Sequence, residues 1–242
     1  MVAVVGEGPQ GRLRYRPLSL DPAATACWRE IPTIIRGMFL LVTGASEAGK
    51  STARRAVARR LLPEVEWVEL YDVAAVPAVP DIVWRQRATE AVVQRTLELE
   101  ARGRHLLLSG DPVAAGEVLA APSSVGLDGV AVCLLDVSVD AQAARLARRG
   151  DDPSLLPHHQ AFAEWLRGHA RDPRHMSHVL STNGWEAMRW DRWSGIDPID
   201  GSWGMEVLDT TPLTPVEVAD EIVRWCHGVL CGNAAVLHPT GE

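Results

Sequence analysis

Eight residues, Gly44-Ala45-Ser46-Glu47-Ala48-Gly49-Lys50-Ser51, stand between an almost unbroken apolar run and a helix-forming stretch, and nothing else constrains the chain as much. The run before them, Met38-Phe39-Leu40-Leu41-Val42-Thr43, has the make-up of a strand buried on both faces of a parallel sheet. The stretch after them, Ser51 to Leu62, is rich in Ala, Arg and Leu and stops at Pro63, which reads as a helix followed by a breaker. A glycine-framed turn between a strand and a helix N-terminus points backbone N–H groups and the positive end of the helix dipole at one spot. The octet also fills every fixed position of the pattern G-x-x-x-x-G-K-[ST]. Lys50 is the only lysine among 24 lysine and arginine residues, so an accidental match is improbable in this composition. A chain of phosphates is what such a turn holds.

The expected nucleotide-binding residues are therefore Gly44, Ala45, Ser46, Glu47, Ala48, Gly49, Lys50, Ser51 and Thr52, with ATP as the ligand. An ammonium on a flexible stem suits point contact with the β- and γ-phosphate oxygens. The Ser51 hydroxyl suits Mg²⁺, which prefers oxygen ligands and keeps several waters. An Asn-Lys-x-Asp guanine motif is impossible with one lysine, so a GTPase is disfavoured.

With 242 residues and 47% hydrophobic content, the chain can bury one full core with an insertion. A net charge of −7 argues against a surface that coats nucleic acid. No apolar stretch approaches the ~20 residues a membrane span needs, and the first residues lack the pattern of a secretory signal. Cys27, Cys133, Cys226 and Cys231 form no C-x-x-C pair, which points to a reduced cytoplasmic protein. The pairs His158-His159 and His175/His178 lack further ligands and read as surface or hydrogen-bonded residues rather than a metal site.

Residues 1–37 show no sustained period and read as an N-terminal extension. From 38 to 231, strand and helix signals alternate as in a parallel α/β sheet. Strands are expected at Met38–Thr43, Val65–Leu70, His105–Ser109, Val130–Asp136 and Met205–Asp209. Asp81 can cap a helix from Ile82 to about Ala101. A helix follows over Asp140–Arg149, stopped by Gly150, and a final one begins at Pro215, with Thr214 and Glu217 forming a capping box. Residues 150–204 interrupt the alternation with a helix over His158–Ala170 and a stretch holding Trp185, Trp190, Trp193 and Trp203. These tryptophans, part of nine in all, suit packing of the insertion more than stacking on a substrate or a subunit contact. Residues 232–242 read as a loose tail.

Over about residues 38–229 the layout resembles the P-loop kinases of small molecules: nucleoside and nucleotide kinases, gluconate- and shikimate-type kinases, and antibiotic phosphotransferases. The resemblance is carried by Gly44–Ser51, by Leu106-Leu107-Leu108-Ser109-Gly110-Asp111-Pro112, by the arginine-rich helix after the fourth strand, and by Leu208-Asp209-Thr210-Thr211 through Pro215. It implies a three-layer P-loop sandwich with a five-stranded parallel sheet in the order 2-3-1-4-5 and a helical lid insertion. It also implies that the Leu208–Pro215 segment packs near adenine. Asp111 is favoured over Asp136 as the carboxylate behind Mg²⁺, and by its position also as an acceptor-side residue.

Acceptors in open α/β sheets bind beyond the carboxyl ends of strands. Asp72, just past the second strand, is the candidate base for a hydroxyl acceptor, with a solvated turn residue as the competing reading. Glu69 is expected within the strand and facing solvent. Arg85 and Arg87 are candidate acceptor contacts, although two residues apart on a helix they point to nearly opposite sides. Arg145, Arg148 and Arg149 share one helical face, and Arg145 and Arg149 are the expected clamps on the transferring phosphoryl group. The expected function is ATP-dependent phosphoryl transfer to a hydroxyl of a small molecule such as a nucleoside, sugar or antibiotic-like metabolite. A nucleotide kinase with a phosphate acceptor and a non-catalytic nucleotide-dependent switch are the alternatives. A homodimer is compatible with the sequence.

Overall fold

The computed structural model describes residues 38–51, 57, 64–109, 112–198 and 201–239. Expectations for residues 1–37, for Thr52 and for Asp111 lie outside the described residues. Five strands, β1 (Met38–Gly44), β2 (Val65–Val68), β3 (His105–Ser109), β4 (Gly129–Asp136) and β5 (Glu206–Asp209), form one sheet in the order β2-β3-β1-β4-β5. Every pairing is parallel. This is the expected P-loop architecture, with β1 at the centre and all seven of its residues buried.

Alternation along the strands divides the core into two layers. Phe39 and Leu41 of β1 join Leu106, Leu108, Val130 and Val132 on one face, while Met38, Leu40 and Val42 join Leu107, Ala131 and Cys133 on the other. Helices α1 (Leu70–Val73) and α2 (Ile82–Glu100) follow β2, and α3 (Ala115–Ala120) follows β3. Helix α4 (Val139–Arg149) follows β4, and helix α8 (Pro215–Leu230) covers the second layer. Local chemistry sets the ends. Asp81 accepts from Trp84 N at 2.7 Å to begin α2. Gly150 ends α4 at φ 85°, a left-handed conformation suited to glycine. Thr214 and Glu217 form the capping box of α8, with Pro215 at its first position.

The insertion contains α5 (Leu156–Arg171), α6 (His178–Ser181) and α7 (Asp191–Ser194) and packs onto the first layer through aromatic side chains. Trp165 stacks on His169 with centroids 5.2 Å apart, and Trp193 and Trp203 meet the same imidazole edge-on. A Cβ on Gly116 would lie 2.7 Å from the Trp193 ring, so only glycine lets α3 approach this closely. Fully buried Gln86 of α2 donates to Leu180 O at 2.8 Å and accepts from Trp185 N at 2.6 Å, fastening the insertion to the first layer.

One expectation needs correction. The described part of the stretch after Gly232 is docked rather than loose: Leu237 is buried and pairs antiparallel with Val130, on the β4 edge that β5 leaves open before Cys133. Cys133 and Cys226 are buried free thiols, packed in the second layer. Among the described residues no helix is long and apolar enough to cross a membrane.

His169 makes the fold sensitive to acid. Its Nε2 accepts from Gly116 N at 3.3 Å, which requires the neutral ring, and burial lowers its pKa from 6.5 to about 4. The unfolded chain therefore binds a proton below about pH 6.5 that the folded chain refuses until about pH 4. Stability from this group is complete above pH 6.5 and falls as the pH drops through that window, by about 3 kcal/mol in total. Urea unfolding of the parent and of His169→Gln at pH 7, 5.5 and 4.5 should show the difference in slope. Parallel curves would refute this assignment.

Candidate active site

The phosphate loop leaves β1 at a point where only glycine fits. A Cβ on Gly44, at φ 154°, would lie 2.5 Å from the carbonyl oxygen of Leu135 in neighbouring β4. Gly49, at φ 106°, closes the loop before Lys50 and Ser51 open the next helix.

All five carbonyls between these glycines are met by side chains from outside. Lys50 Nζ donates to Gly44 O at 2.6 Å and to Ala45 O at 2.8 Å. Gln142 Nε2 donates to Ser46 O at 3.0 Å, and Arg145 Nη1 to Glu47 O at 3.0 Å. Thr210 Oγ1 reaches Ala48 O at 2.9 Å and Asp136 O at 2.8 Å, to one of which it donates. Ala48 N closes a turn onto Ala45 O at 3.3 Å. These bonds fix the loop backbone at the start of the next helix, the place where such a loop receives a phosphate.

That loop forms one wall of a cavity of about 640 Å³. A second wall is the α4 face carrying Arg145, Arg148 and Arg149, and a third is built by Thr211, Leu213, Pro215 and Val218. The cavity therefore has a cationic, N–H-rich end and an apolar slot, within the volume range usual for small-molecule sites. The slot is shaped by the turn after β5. Thr210 N donates to Asp136 O at 2.8 Å, Thr211 N to Asp209 Oδ1 at 2.8 Å, and Ser138 N to Thr211 Oγ1 at 2.8 Å. Hydrogen bonds from the Thr211 side chain and backbone hold the Asp209 carboxyl below the usual carboxylate range.

The expected site residues fall into different places. Lys50 and Ser51 line the cavity, Lys50 buried and Ser51 exposed. Arg145 also lines it, but its guanidinium is directed at oxygens of the protein: Glu47 O, Thr210 O at 2.9 Å and Thr211 O at 3.5 Å. Arg149 Nη1 pairs with Glu47 Oε1 at 2.6 Å, while Nε and Nη2 face Asp151. Arg148, on the same wall, makes no hydrogen bond or ion pair among the described residues. Asp136 is bound by Arg167 Nε at 2.9 and 3.0 Å and by Val137 N, which ties α5 to the end of β4.

Beyond β2, Asp72 is exposed and its Oδ2 accepts from Glu69 N at 2.8 Å, the N-terminal brace of α1. Glu69 is buried at 5% exposure, not facing solvent as its place in an alternating strand suggested, because β2 ends at Val68 and the chain turns there into α1. Arg85 reaches back to Glu117 of α3, Nη2 to Oε1 at 2.7 Å, and Glu117 is fully buried. Arg87 is exposed and lies over the Trp185 ring, 5.6 Å from its centroid. Gln142 and Glu117 escaped the sequence reading, and Thr210 entered it only as part of the Leu208–Pro215 segment; partners at sequence separations of 32 to 162 residues carry no local signal.

No protein-family model and no curated protein matches the chain. Similar solved structures include a sugar kinase from Janibacter sp. HTCC2649, 16% identical over 78% of this chain and 94% of that one, with a TM-score of 0.47. A gluconokinase from Sinorhizobium meliloti 1021 is 18% identical over 84% and 95%, with a TM-score of 0.43. The full-length tRNA isopentenylpyrophosphate transferase from Bacillus halodurans is 16% identical over 82% and 98%, with a TM-score of 0.36. Likeness at this level concerns the fold alone, and the chemistry has to be argued from the site.

Arg145 joins the phosphate loop to the turn after β5, so its loss should act on both. Arg145→Ala should destabilise the protein by about 1–3 kcal/mol, the usual cost of leaving buried carbonyls without donors, and weaken ATP binding in parallel. Urea unfolding and calorimetric titration check this. Unchanged stability and affinity with a large fall in kcat would return Arg145 to the role of phosphoryl clamp.

Proposed function

We propose that the protein is an ATP-dependent phosphotransferase that moves the γ-phosphoryl group to a hydroxyl of a small molecule. The observation that carries this reading is the cavity itself, in which the glycine-framed loop and Lys50 meet an apolar slot of Leu213, Pro215 and Val218. A polyphosphate chain attached to a planar base matches that pairing of surfaces.

In this reading Lys50 leaves its carbonyl partners for phosphate oxygens, and the N–H groups of the loop fix the triphosphate in line with the acceptor. The donors for Mg²⁺ are few. Among the described residues there is no group of three or more His, Cys, Asp or Glu suited to a metal, and the Ser51 hydroxyl opens on the cavity. A single hydroxyl fits an ion bound mostly through phosphate and water. Mg²⁺, when bound, neutralises charge on the phosphates; Ser51 is the residue that would hold it here, with Asp111 proposed behind it.

The acceptor side favours a hydroxyl over a phosphate. Arg85 is neutralised by Glu117, and Arg87 is held over an indole. Asp72 keeps one carboxylate oxygen outside its helix brace and is the proposed base, while buried Glu69 is the neighbouring alternative.

Two experiments test the reading. Lys50→Met should fold with some loss of stability from the two carbonyls it leaves without this donor, lose phosphoryl transfer and weaken ATP binding; full activity in that variant would end the kinase proposal. With an acceptor identified by mass spectrometry from a panel of hydroxylated metabolites and nucleotides, Asp72→Asn should lower kcat by about 10²–10⁴-fold, as for a lost general base. Asparagine can still accept from Glu69 N, so the fold should survive. A large loss in Glu69→Gln with little in Asp72→Asn would move the base to Glu69. Little loss in either, with a raised acceptor KM in Arg87→Ala, would favour a phosphate acceptor.

A further inference from the structure

Glu47 occupies the loop in a backbone conformation that suits glycine. Its φ is 64°, in the left-handed region, which costs a residue with a Cβ about 1 kcal/mol. Two arginines one helical turn apart on α4 grip this one residue: Arg145 takes its carbonyl at 3.0 Å and Arg149 its carboxylate at 2.6 Å. A strained residue whose anionic side chain lines a cavity of phosphate donors requires a reason.

The geometry of Arg149 supplies one. Asp151 takes the Nε edge of the guanidinium, with Nε to Oδ1 at 2.6 Å and Nη2 to Oδ2, and so fixes the plane of the group. Nη1 is left to point across the cavity mouth, where it meets Glu47 Oε1. Glu47 is thus an anion set against the one arginine nitrogen that is directed at the phosphate loop and not bound by Asp151. His159 approaches Asp151 at 3.9 Å from α5, and Arg145, Arg148 and Lys50 are the other cations on the same cavity.

We infer that Glu47 is an internal stand-in for a nucleotide phosphate: its carboxylate holds Arg149 until a phosphate replaces it, and Asp151 keeps the arginine in place during the exchange. The inference rests on the nucleotide-binding reading above. It makes Glu47 a determinant of nucleotide affinity, acting against binding, and Asp151 a positioning residue.

The test is calorimetric titration of ATP, ADP and adenosine into the full-length protein and into Glu47→Gln and Glu47→Gly. Both variants remove the competing charge, and the glycine variant also removes the backbone strain, so it serves if the glutamine variant folds poorly. ATP should bind about three- to tenfold more tightly to both, in line with the modest strength of a half-exposed ion pair plus relief of anion repulsion. Adenosine affinity should not change. Equal or weaker ATP binding in both variants, while the parent binds ATP, would overturn the inference and leave the nucleotide site standing. Tighter adenosine binding by the same factor would also overturn it, by showing a general loosening of the cavity. Binding in the variants but not in the parent would support it strongly. If neither parent nor variants bind ATP, the nucleotide-binding reading itself fails, and the inference with it.

Discussion

The side-chain donors that meet five consecutive loop carbonyls are the constraint on which this site depends. An empty phosphate loop brings several N–H dipoles of like orientation close together, an arrangement that backbone rotation would otherwise relax. Here Lys50, Gln142, Arg145 and Thr210 meet the carbonyl ends of those peptides. The donors come from the helix after the loop, from α4 and from the turn after β5. They can all reach it because β1 lies next to β4, and β4 next to β5. Sheet order thus decides whether the loop keeps a binding shape without ligand, and preorganisation of this kind strengthens binding by lowering its ordering cost.

The parts legible in the sequence were those governed by local chemistry. The loop, the apolar strands, the Asp81 and Thr214 caps and the stop at Gly150 each follow from residues within one turn of the feature they set. Strand order came from family resemblance. What escaped notice was set at long range. Arg145, Arg148 and Arg149 are indistinguishable by spacing, yet one binds carbonyls, one faces the cavity without a protein partner among the described residues, and one is shared by two carboxylates. Arg85 looked available for substrate, and only the placement of α3 beside α2 shows that Glu117 already neutralises it. The tryptophans read correctly as packing because burying so much aromatic surface outweighs other uses unless a cavity opens onto it.

The insertion also bears on the proposed acceptor side, although none of its tryptophans lines the cavity beside the phosphate loop. Gln86 and Arg87 are adjacent on α2 and both engage the insertion, the first through Leu180 and Trp185 and the second through the Trp185 ring. Arg85, one residue earlier, is fixed to α3. Three successive residues near the start of α2 are therefore held by two other segments, α3 and the stretch of the insertion that carries Leu180 and Trp185. A helix anchored in this way cannot easily turn its arginines to clamp an incoming phosphate. An acceptor that needs only orientation and the loss of one proton makes no such demand, and the stretch after β2 that carries Asp72 remains on the surface to meet it. The physical case for a hydroxyl acceptor rests on this commitment of the nearby cations more than on the presence of a carboxylate.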